Sequence, residues 1–492
     1  MRVLICASEM VPFAKTGGLA DVVGALSLAL EKLGVEVRVV LPKYRTVAGH
    51  QPEGSACLPD RQGLASDSQS HRSQVTPPAS GQAGLGKDIE VTKIGKNVQV
   101  YLIKNDTYFN RDGLYGEGAG DYPDNLERFS FYCRRALDLL KEINFQPDII
   151  HCHDWQAALI PVYLKNIYAK DNFYKNIKTL LTIHNLAYQG LFAKVEYPKL
   201  GLDWALFGIE GLEFYDKINI LKGGICFSDL LNTVSPAYAK EIQSKKLGCG
   251  LEGVLSKRKK DLCGIINGLD YESWDPAKDK YIYKRYSPEK LEDKYVNKKR
   301  LQEECRLAVE RSVPLFGIVG RLAEQKGLDL IAGSMDYLIK HSSFQLVALG
   351  TGDIKYRNML EGMQRKYPHN LSAHIKFDDS LAHKIYAGCD IFLMPSRYEP
   401  CGLGQMISLK YGTIPLVFKT GGLADTVSPE NGFVFDAYLA KDFVETVKNA
   451  IRAYKNKAQW LRLVRKAFTY DFSWEKSAKK YVELYGRLKK SG

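Results

Sequence analysis

Short apolar runs alternate with helical patterns from the start of the chain. Residues 3–7 form an apolar run, residues 20–34 repeat apolar positions at helical spacing, and residues 35–41 form a second run rich in β-branched side chains. A buried parallel strand is apolar throughout, whereas a helix buries only one face. The succession therefore predicts a βαβ unit at the amino terminus.

Similar apolar runs recur along most of the chain. They cover residues 148–151, 179–183, 315–319, 345–349, 391–394 and 413–417. Runs of this length separated by helical patterns indicate parallel strands with helices on both faces of the sheet. The predicted fold class is α/β, with doubly wound parallel sheets.

One segment near the start of the chain is repeated near its end. The sequence KTGGLADVV at residues 15–23 returns as KTGGLADTV at residues 419–427, so eight of nine positions are identical. Each copy places a Gly-Gly turn directly before a helical pattern. In a chain of 492 residues, which is long for one core, the repeat predicts two doubly wound domains that each carry a ligand-facing loop.

The domain limits follow from where these patterns change. We predict an amino-terminal domain over residues 1–255, a carboxy-terminal domain over 262–465 that begins with a strand at 262–266, and a final helical segment over 466–492. Residues 51–86 are rich in Ser, Gly, Pro and Gln. Because that composition buries little apolar surface, we expect a flexible insert there.

Composition and charge exclude several classes of protein. No apolar stretch reaches the roughly 18 residues of a membrane-spanning helix, the first apolar run is too short for a signal peptide, and the ten cysteines contain no Cys-x-x-Cys pair. The net charge of +13 suits an anionic partner, which is a nucleic acid, an acidic membrane surface or a phosphorylated small molecule. Basic clusters such as 257–260 lie beside helical patterns and fit solvated helix faces better than a nucleic-acid surface. We expect a soluble cytoplasmic protein that binds neither membrane nor nucleic acid.

Candidate anion-binding groups follow two of the predicted strands. The turn at Gly17 and Gly18 presents backbone N–H groups and the positive end of a helix, and Lys15 adds a charge. Arg321 and Lys326 follow the strand at 315–319 and suit one diphosphate, the first as a fork and the second as a compact charge. A plain surface Arg–Glu pair would give the same pattern. No Asp-x-Asp follows a strand, so we expect cations rather than a metal ion to neutralise the phosphates.

Asp154, His184 and Glu399 each follow a different predicted strand. Because the carboxyl ends of parallel strands meet at one edge, we expect them to converge, with the His153–Asp154 pair facing a cleft. A structural histidine and a capping carboxylate remain the alternatives.

Two common motifs are set aside. The G-x-G-x-x-G at 248–253 lacks a preceding strand, and the run at 151–154 does not have the spacing of a common zinc site.

Taken together, these motifs resemble the bacterial and plastid glycogen and starch synthases of the ADP-glucose type, glycosyltransferase family 5. The matching segments are 15–21 (KTGGLAD), 153–155 (HDW), 184–190 (HNLAYQG), 320–329 (GRLAEQKGLD) and 399–403 (EPCGL). They occur in family order from residue 1 to about residue 488, and only 51–86 is unlike the family.

The resemblance implies a fold and a reaction. The fold is GT-B, two Rossmann-like domains facing a central cleft, with the last helix crossing back to the amino-terminal domain. The reaction is the retaining transfer of glucose from ADP-glucose to the non-reducing end of an α-1,4-glucan such as glycogen, with release of ADP. Neither a metal nor an organic cofactor is implied.

The resemblance also implies site residues. The catalytic residues it implies are Lys15, Asp154, His184, Arg321, Lys326 and Glu399. The donor-binding residues it implies are Lys15, Gly18, Asp21, Asn267, Arg321, Lys326, Thr351, Phe377, Cys401, Gly402 and Leu403. Phe377 stands where some members have a tyrosine against the adenine, so stacking is kept and a phenolic hydrogen bond is lost.

Two other functions remain open at this point. One is a related GT-B transferase that uses UDP-glucose or makes a different disaccharide. The other is a glucan-binding protein with an inactive site. The cations gathered around a diphosphate-sized site argue against the second, because holding glucan alone does not require them.

Overall fold

The computed structural model describes residues 1–45, 86–117 and 120–490. The strands are β1 (Arg2–Cys6), β2 (Glu36–Pro42), β3 (Ile89–Ile94), β4 (Val98–Ile103), β5 (Gly116–Glu117), β6 (Gly120–Asp121), β7 (Ile149–His153), β8 (Lys178–Ile183), β9 (Leu191–Ala193), β10 (Glu213–Phe214), β11 (Lys217–Asn219), β12 (Leu230–Thr233), β13 (Leu262–Gly264), β14 (Leu315–Val319), β15 (Gln345–Leu349), β16 (Leu371–His374), β17 (Ile391–Met394), β18 (Ile414–Phe418) and β19 (Phe433–Phe435). The predicted insert lies outside these described residues, apart from Gly86.

The helices alternate with the strands along most of the chain. They are α1 (Gly18–Lys32), α2 (Asp106–Phe109), α3 (Asn125–Glu142), α4 (Asp154–Ala157), α5 (Leu159–Asn166), α6 (Ile220–Phe227), α7 (Pro236–Glu241), α8 (Glu252–Lys257), α9 (Glu292–Glu304), α10 (Leu328–His341), α11 (Ile354–Lys366), α12 (Asp379–Gly388), α13 (Gly404–Lys410), α14 (Gly421–Thr426), α15 (Ala440–Lys455), α16 (Lys457–Ala467) and α17 (Trp474–Lys490). Short 3-10 helices cover Lys194–Leu200, Trp204–Leu206 and Glu324–Lys326.

The chain divides into two compact units. The first contains Met1–Val234, Ala239–Gly268 and the chain from Trp474 onward, and the second contains Ser235–Tyr238 and Leu269–Ser473. The final helix α17 thus belongs to the first unit.

The first unit is built on an eight-stranded sheet in the order β13-β12-β8-β7-β1-β2-β4-β3. All neighbours are parallel except β3, which is antiparallel to β4. Helices α1 and α17 contribute Leu26, Leu30, Tyr481 and Leu488 to the apolar core beneath β1. A separate antiparallel sheet, β10-β11-β9, follows β8.

The second unit is built on a six-stranded, fully parallel sheet in the order β16-β15-β14-β17-β18-β19. Its core includes Phe316, Leu346 and Leu416 from the strands. The predicted fold class is therefore confirmed, with parallel sheets and flanking helices in both units.

One predicted boundary is wrong. The strand expected to open the second domain at 262–266 is β13, and it pairs in parallel with β12, Leu231 opposite Leu262, in the sheet of the first unit. The change of unit falls between Gly268 and Leu269, and residues 466–473 lie in the second unit rather than in the final helix. Strand pairing joins residues far apart in sequence, so the apolar pattern of a strand does not reveal which sheet it enters.

Candidate active site

In the first unit, the loop between β1 and α1 carries Lys15, Gly18 and Asp21. The Lys15 ammonium lies 2.8 Å from the Asp21 carboxylate, and both side chains are partly exposed. A Cβ added at Gly18 would meet nothing within 4 Å. The start of α1 is therefore open, as an approach by a ligand requires.

Glu9, which was not among the predicted site residues, holds this loop in place. Its buried carboxylate accepts hydrogen bonds from the backbone N–H of Thr16 at 2.5 Å and of Gly17 at 3.2 Å, and from the Thr16 hydroxyl at 2.6 Å. The Tyr115 hydroxyl donates to it as well, at 2.6 Å. The Gly17 N–H, one of the backbone groups expected to face a ligand, is therefore paired within the protein. A glutamate two residues after the apolar run at 3–7 was the signal available in the sequence.

Asp154 and His184 lie together at the ends of β7 and β8, neighbouring strands of the same sheet. The backbone N–H of His184 donates to Asp154 Oδ1 at 2.7 Å. Asp154 begins α4 with a φ of 54°, a left-handed conformation that non-glycine residues rarely adopt. Backbone strain of this kind concentrates at functional sites.

The pKa of the Asp154 carboxyl group lies well above its usual value. Burial raises its pKa from 3.8 to about 7, Glu9 adds repulsion, and the backbone N–H groups of His184 and Asn185 oppose the rise. A carboxyl group with such a pKa exchanges a proton near neutral pH.

Three histidines, His151, His153 and His184, form a contact chain next to Asp154. His153 Nδ1 lies 2.9 Å from His184 Nε2, and the rings of His151 and His153 are 4.1 Å apart at their centroids. Burial lowers the pKa of His151 and of His184 to about 3 and that of His153 well below its usual value, so all three are neutral. His153 is fully buried, which corrects the expectation that it faces a cleft together with Asp154.

The remaining predicted residue of the first unit is Asn267. It is 6% exposed, and its Oδ1 atom is buried without a hydrogen-bond partner among the described residues. A buried acceptor of this kind is a candidate contact for a ligand.

In the second unit, Lys326 and Glu399 form an ion pair at the ends of β14 and β17. Lys326 Nζ lies 2.6 Å from Glu399 Oε2, and the Ser396 hydroxyl donates to the same oxygen at 3.0 Å. Glu399 is 6% exposed. The carboxylate is thus fixed in position by a cation and a hydroxyl group.

Hydrogen bonds connect the loop that carries Lys326 to the loop that carries Glu399. The Arg397 N–H donates to the Gln325 carbonyl at 2.8 Å, and the Gln325 amide donates to the Tyr398 carbonyl at 3.0 Å. Gly327, with a φ of 70°, lies so close to the Pro395 carbonyl that a Cβ there would overlap it. Neither Gln325 nor Ser396 was predicted, because contacts between loops leave no local pattern in the sequence.

Three more predicted residues of the second unit follow β14, β15 and β16, which lie in one sheet. Arg321, after β14, is exposed and has no ion-pair or hydrogen-bond partner within the described ranges. Thr351, after β15, is exposed, and its carbonyl accepts from the Leu322 N–H at 2.7 Å. Phe377, after β16, has a ring that is 65% exposed and available for stacking.

The segment Cys401–Gly402–Leu403 turns from β17 toward α13. Cys401 is buried, and Gly402 has a φ of 72°. The Gln405 amide donates to the carbonyls of Cys401 at 3.0 Å and of Gly402 at 2.9 Å. The turn is therefore rigid.

The second KTGGLAD copy differs from the prediction that each copy is ligand-facing. Gly421 and Gly422 are buried, and a Cβ on either would overlap the backbone of Glu399 or Cys401. The Gly422 N–H donates to the Glu399 carbonyl at 3.0 Å. These glycines support the Glu399 loop.

The described residues show no group of three His, Cys, Asp or Glu side chains that could hold a metal ion. None of the helices in the same ranges is both long and apolar enough to cross a membrane.

The folds of both units identify the class of protein. A model of group 1 glycosyl transferases matches residues 303–466. The sucrose-phosphate synthase of Thermosynechococcus elongatus shares the fold, with a TM-score of 0.60 at 16% identity over 100% of both chains. The molecule is a GT-B glycosyltransferase.

Closer relatives define the family. A model of the starch synthase catalytic domain matches residues 2–257. A glycogen synthase from Geotalea uraniireducens is 49% identical over 99% of this chain and 98% of its own. The catalytic domain of starch synthase IV from Arabidopsis thaliana, solved with ADP and acarbose, is 34% identical over 99% of both chains, with a TM-score of 0.82. The chain belongs to the glycogen and starch synthase family of hexosyltransferases.

Proposed function

We propose that this chain transfers glucose from ADP-glucose to the non-reducing end of an α-1,4-glucan, with retention of configuration and release of ADP. One observation carries the choice of donor and acceptor. The starch synthase IV domain, which resembles this chain over 99% of its length, was solved with ADP and acarbose. We further propose that the enzyme is cytoplasmic, binds no nucleic acid and needs no metal or organic cofactor.

The second unit supplies the cations for the diphosphate. Arg321 has no protein partner in the described chain, so its guanidinium is free to form a bidentate contact with phosphate oxygens. Lys326 is held at 2.6 Å by Glu399, and the charge that develops on the departing ADP competes for the same ammonium. Thr351, Phe377 and the turn at 401–403 are proposed to hold the nucleotide.

The first unit supplies groups for the sugar. Asp154 and His184, joined at 2.7 Å, are proposed to line the glucosyl site, with Asn267 as a further polar contact. Lys15, Gly18 and Asp21 form the open loop end that is proposed to contact the donor.

Retention needs an explanation, because neither carboxyl group proposed at the sugar site in the described chain is an evident nucleophile. Asp154 already accepts from the His184 N–H at 2.7 Å. Glu399 already accepts from Lys326 and Ser396, which lowers its nucleophilicity and suits it instead to binding sugar hydroxyl groups. We propose that the leaving phosphate assists the incoming glucan hydroxyl on the same face of the sugar. The protein then acts by positioning the reactants and by stabilising the diphosphate charge.

A transfer assay with radiolabelled sugar tests the proposal. Glycogen is incubated with the full chain and labelled ADP-glucose, UDP-glucose or GDP-glucose, and label in the polymer is counted. We expect transfer from ADP-glucose, in a product from which an α-1,4-specific glucosidase releases the label. Preference for UDP-glucose would favour the related transferase instead, and the absence of transfer from every donor would reject the enzyme assignment.

A further inference from the structure

One ring nitrogen of His184 contacts a second histidine. Its Nε2 lies 2.9 Å from His153 Nδ1. Its Nδ1 has no hydrogen-bond partner in the described part of the chain, and the side chain is half-buried. Which nitrogen bears the hydrogen therefore decides whether His184 offers a donor or an acceptor to a ligand.

The surroundings of His153 distinguish the two tautomers. His153 is fully buried, and its Nε2 has no hydrogen-bond partner among the described residues. If His184 donated from Nε2, the hydrogen of His153 would have to sit on that orphaned Nε2. A buried N–H without an acceptor is rarer in proteins than an acceptor without a donor. The arrangement with the hydrogen of His153 on Nδ1 avoids this cost.

The neighbouring histidine cannot relieve the orphaned nitrogen. His151 stacks beside His153, but its own Nδ1 lies 2.8 Å from the Tyr485 hydroxyl and its Nε2 lies 2.7 Å from the Thr182 hydroxyl. Both of its nitrogens are therefore engaged. Burial also lowers the pKa of all three rings, which disfavours an imidazolium that would donate from both nitrogens.

We propose that His153 fixes the tautomer of His184: the Nδ1–H of His153 donates to Nε2 of His184, so that Nδ1 of His184 bears the hydrogen and donates to an oxygen of the bound sugar. His153 is thus a positioning residue that never touches the substrate. The tautomer follows from the histidine geometry alone, whereas its use toward a sugar rests on the proposed function.

A spectroscopic measurement tests the tautomer directly. The full chain is labelled with 15N-histidine, and long-range 1H–15N correlations at pH 7 distinguish protonated from bare ring nitrogens. His184→Asn and His153→Leu variants assign the signals. We expect both residues to carry hydrogen on Nδ1 and none on Nε2. A hydrogen on Nε2 of His184, or an imidazolium at either residue, would overturn the proposal.

Two variants of His153 test the consequence for turnover. His153→Leu removes the donor, whereas His153→Asn keeps a side-chain N–H close to the position of Nδ1, the atom that faces His184 Nε2. Leucine removes the orphaned Nε2 of His153 but leaves Nε2 of His184 without its donor, so the melting temperature should stay close to that of wild type while turnover falls about tenfold, the effect of one misdirected hydrogen bond. The asparagine variant should stay within about threefold of wild type.

These results separate a positioning role from a structural one. Equal losses in both variants, or a loss of turnover that follows a fall in melting temperature, would contradict the proposal. If the wild-type chain transfers no glucose, the proposed function fails, while the NMR result still decides the tautomer.

Discussion

The two copies of the KTGGLAD sequence have opposite surroundings. In the first unit, Gly17 and Gly18 have open space around them, and the helix that follows runs for 15 residues. In the second unit, Gly421 and Gly422 are packed against the backbone at 399–401, and the helix ends after six residues. Nearly identical segments therefore serve as an exposed loop in one unit and as a buried support in the other, and the packing partner decides which.

The two units also differ in the charges of their candidate site residues. The first combines neutral histidines with a carboxyl group whose pKa is raised to about 7. The second combines the Lys326–Glu399 ion pair with the guanidinium of Arg321, which has no partner among the described residues. The first is suited to hydrogen bonding with an uncharged sugar, and the second to a diphosphate.

The largest expected effect follows from the difference in charge. Lys326→Ala should lower turnover on the order of a hundredfold or more, because the ammonium acts on the departing diphosphate, while the KM for glucan hardly changes. The matched control is Lys419→Ala in the second copy, where the lysine is exposed and paired with Asp436. Steady-state kinetics with both substrates measure turnover and the KM for glucan separately. A change confined to the glucan KM would contradict the assignment.

The next expected effect, on the free energy of unfolding, follows from the different packing of the two Gly-Gly turns. Gly422→Ala places a Cβ against the Cys401 carbonyl and should lower the free energy of unfolding by about 3 kcal/mol. Gly18→Ala, at the matching position of the first copy, meets nothing and should stay within about 0.5 kcal/mol of wild type. Urea unfolding compares the two. Equal destabilisation would mean that the copies do not differ in packing.

The raised pKa of Asp154 predicts a pH dependence of stability. Its proton is held more tightly in the folded than in the unfolded chain, so stability is greatest below the unfolded pKa of about 4 and falls as the pH rises through about 7. Asp154→Asn removes this loss and should stabilise the chain by up to about 4 kcal/mol at pH 8, with no gain below pH 4. Thermal unfolding across this range checks it. A gain that is constant with pH would assign the effect to packing.

The smallest effect concerns the open loop. Glu9→Gln replaces one accepting oxygen with a donor that faces hydroxyl or N–H donors, so the loop of residues 15–18 loses part of its support. We expect the KM for ADP-glucose to rise about fivefold, the cost of roughly one hydrogen bond, with kcat less affected. Hydrogen exchange at Gly17 should accelerate. An unchanged exchange rate would show that Glu9 does not hold the loop.

Much of the fold could be predicted from local patterns. Strands β14, β15 and β17 begin and end at the predicted residues, because a short apolar run bounded by polar residues leaves little choice of element. The sheet that β13 enters could not be predicted, because its partner β12 is about thirty residues away and contributes nothing to the local pattern.

The sequence by itself determined the fold class, the family and the residue types that face the ends of the strands, because apolar periodicity and motifs are local properties of the chain. Only the tertiary structure decided which KTGGLAD copy stays open, that Glu9 holds it, and that His153 contacts His184. These outcomes depend on which side chains fill the space next to each residue. Folding brings together partners such as Glu399 and Gly422 that no local pattern connects.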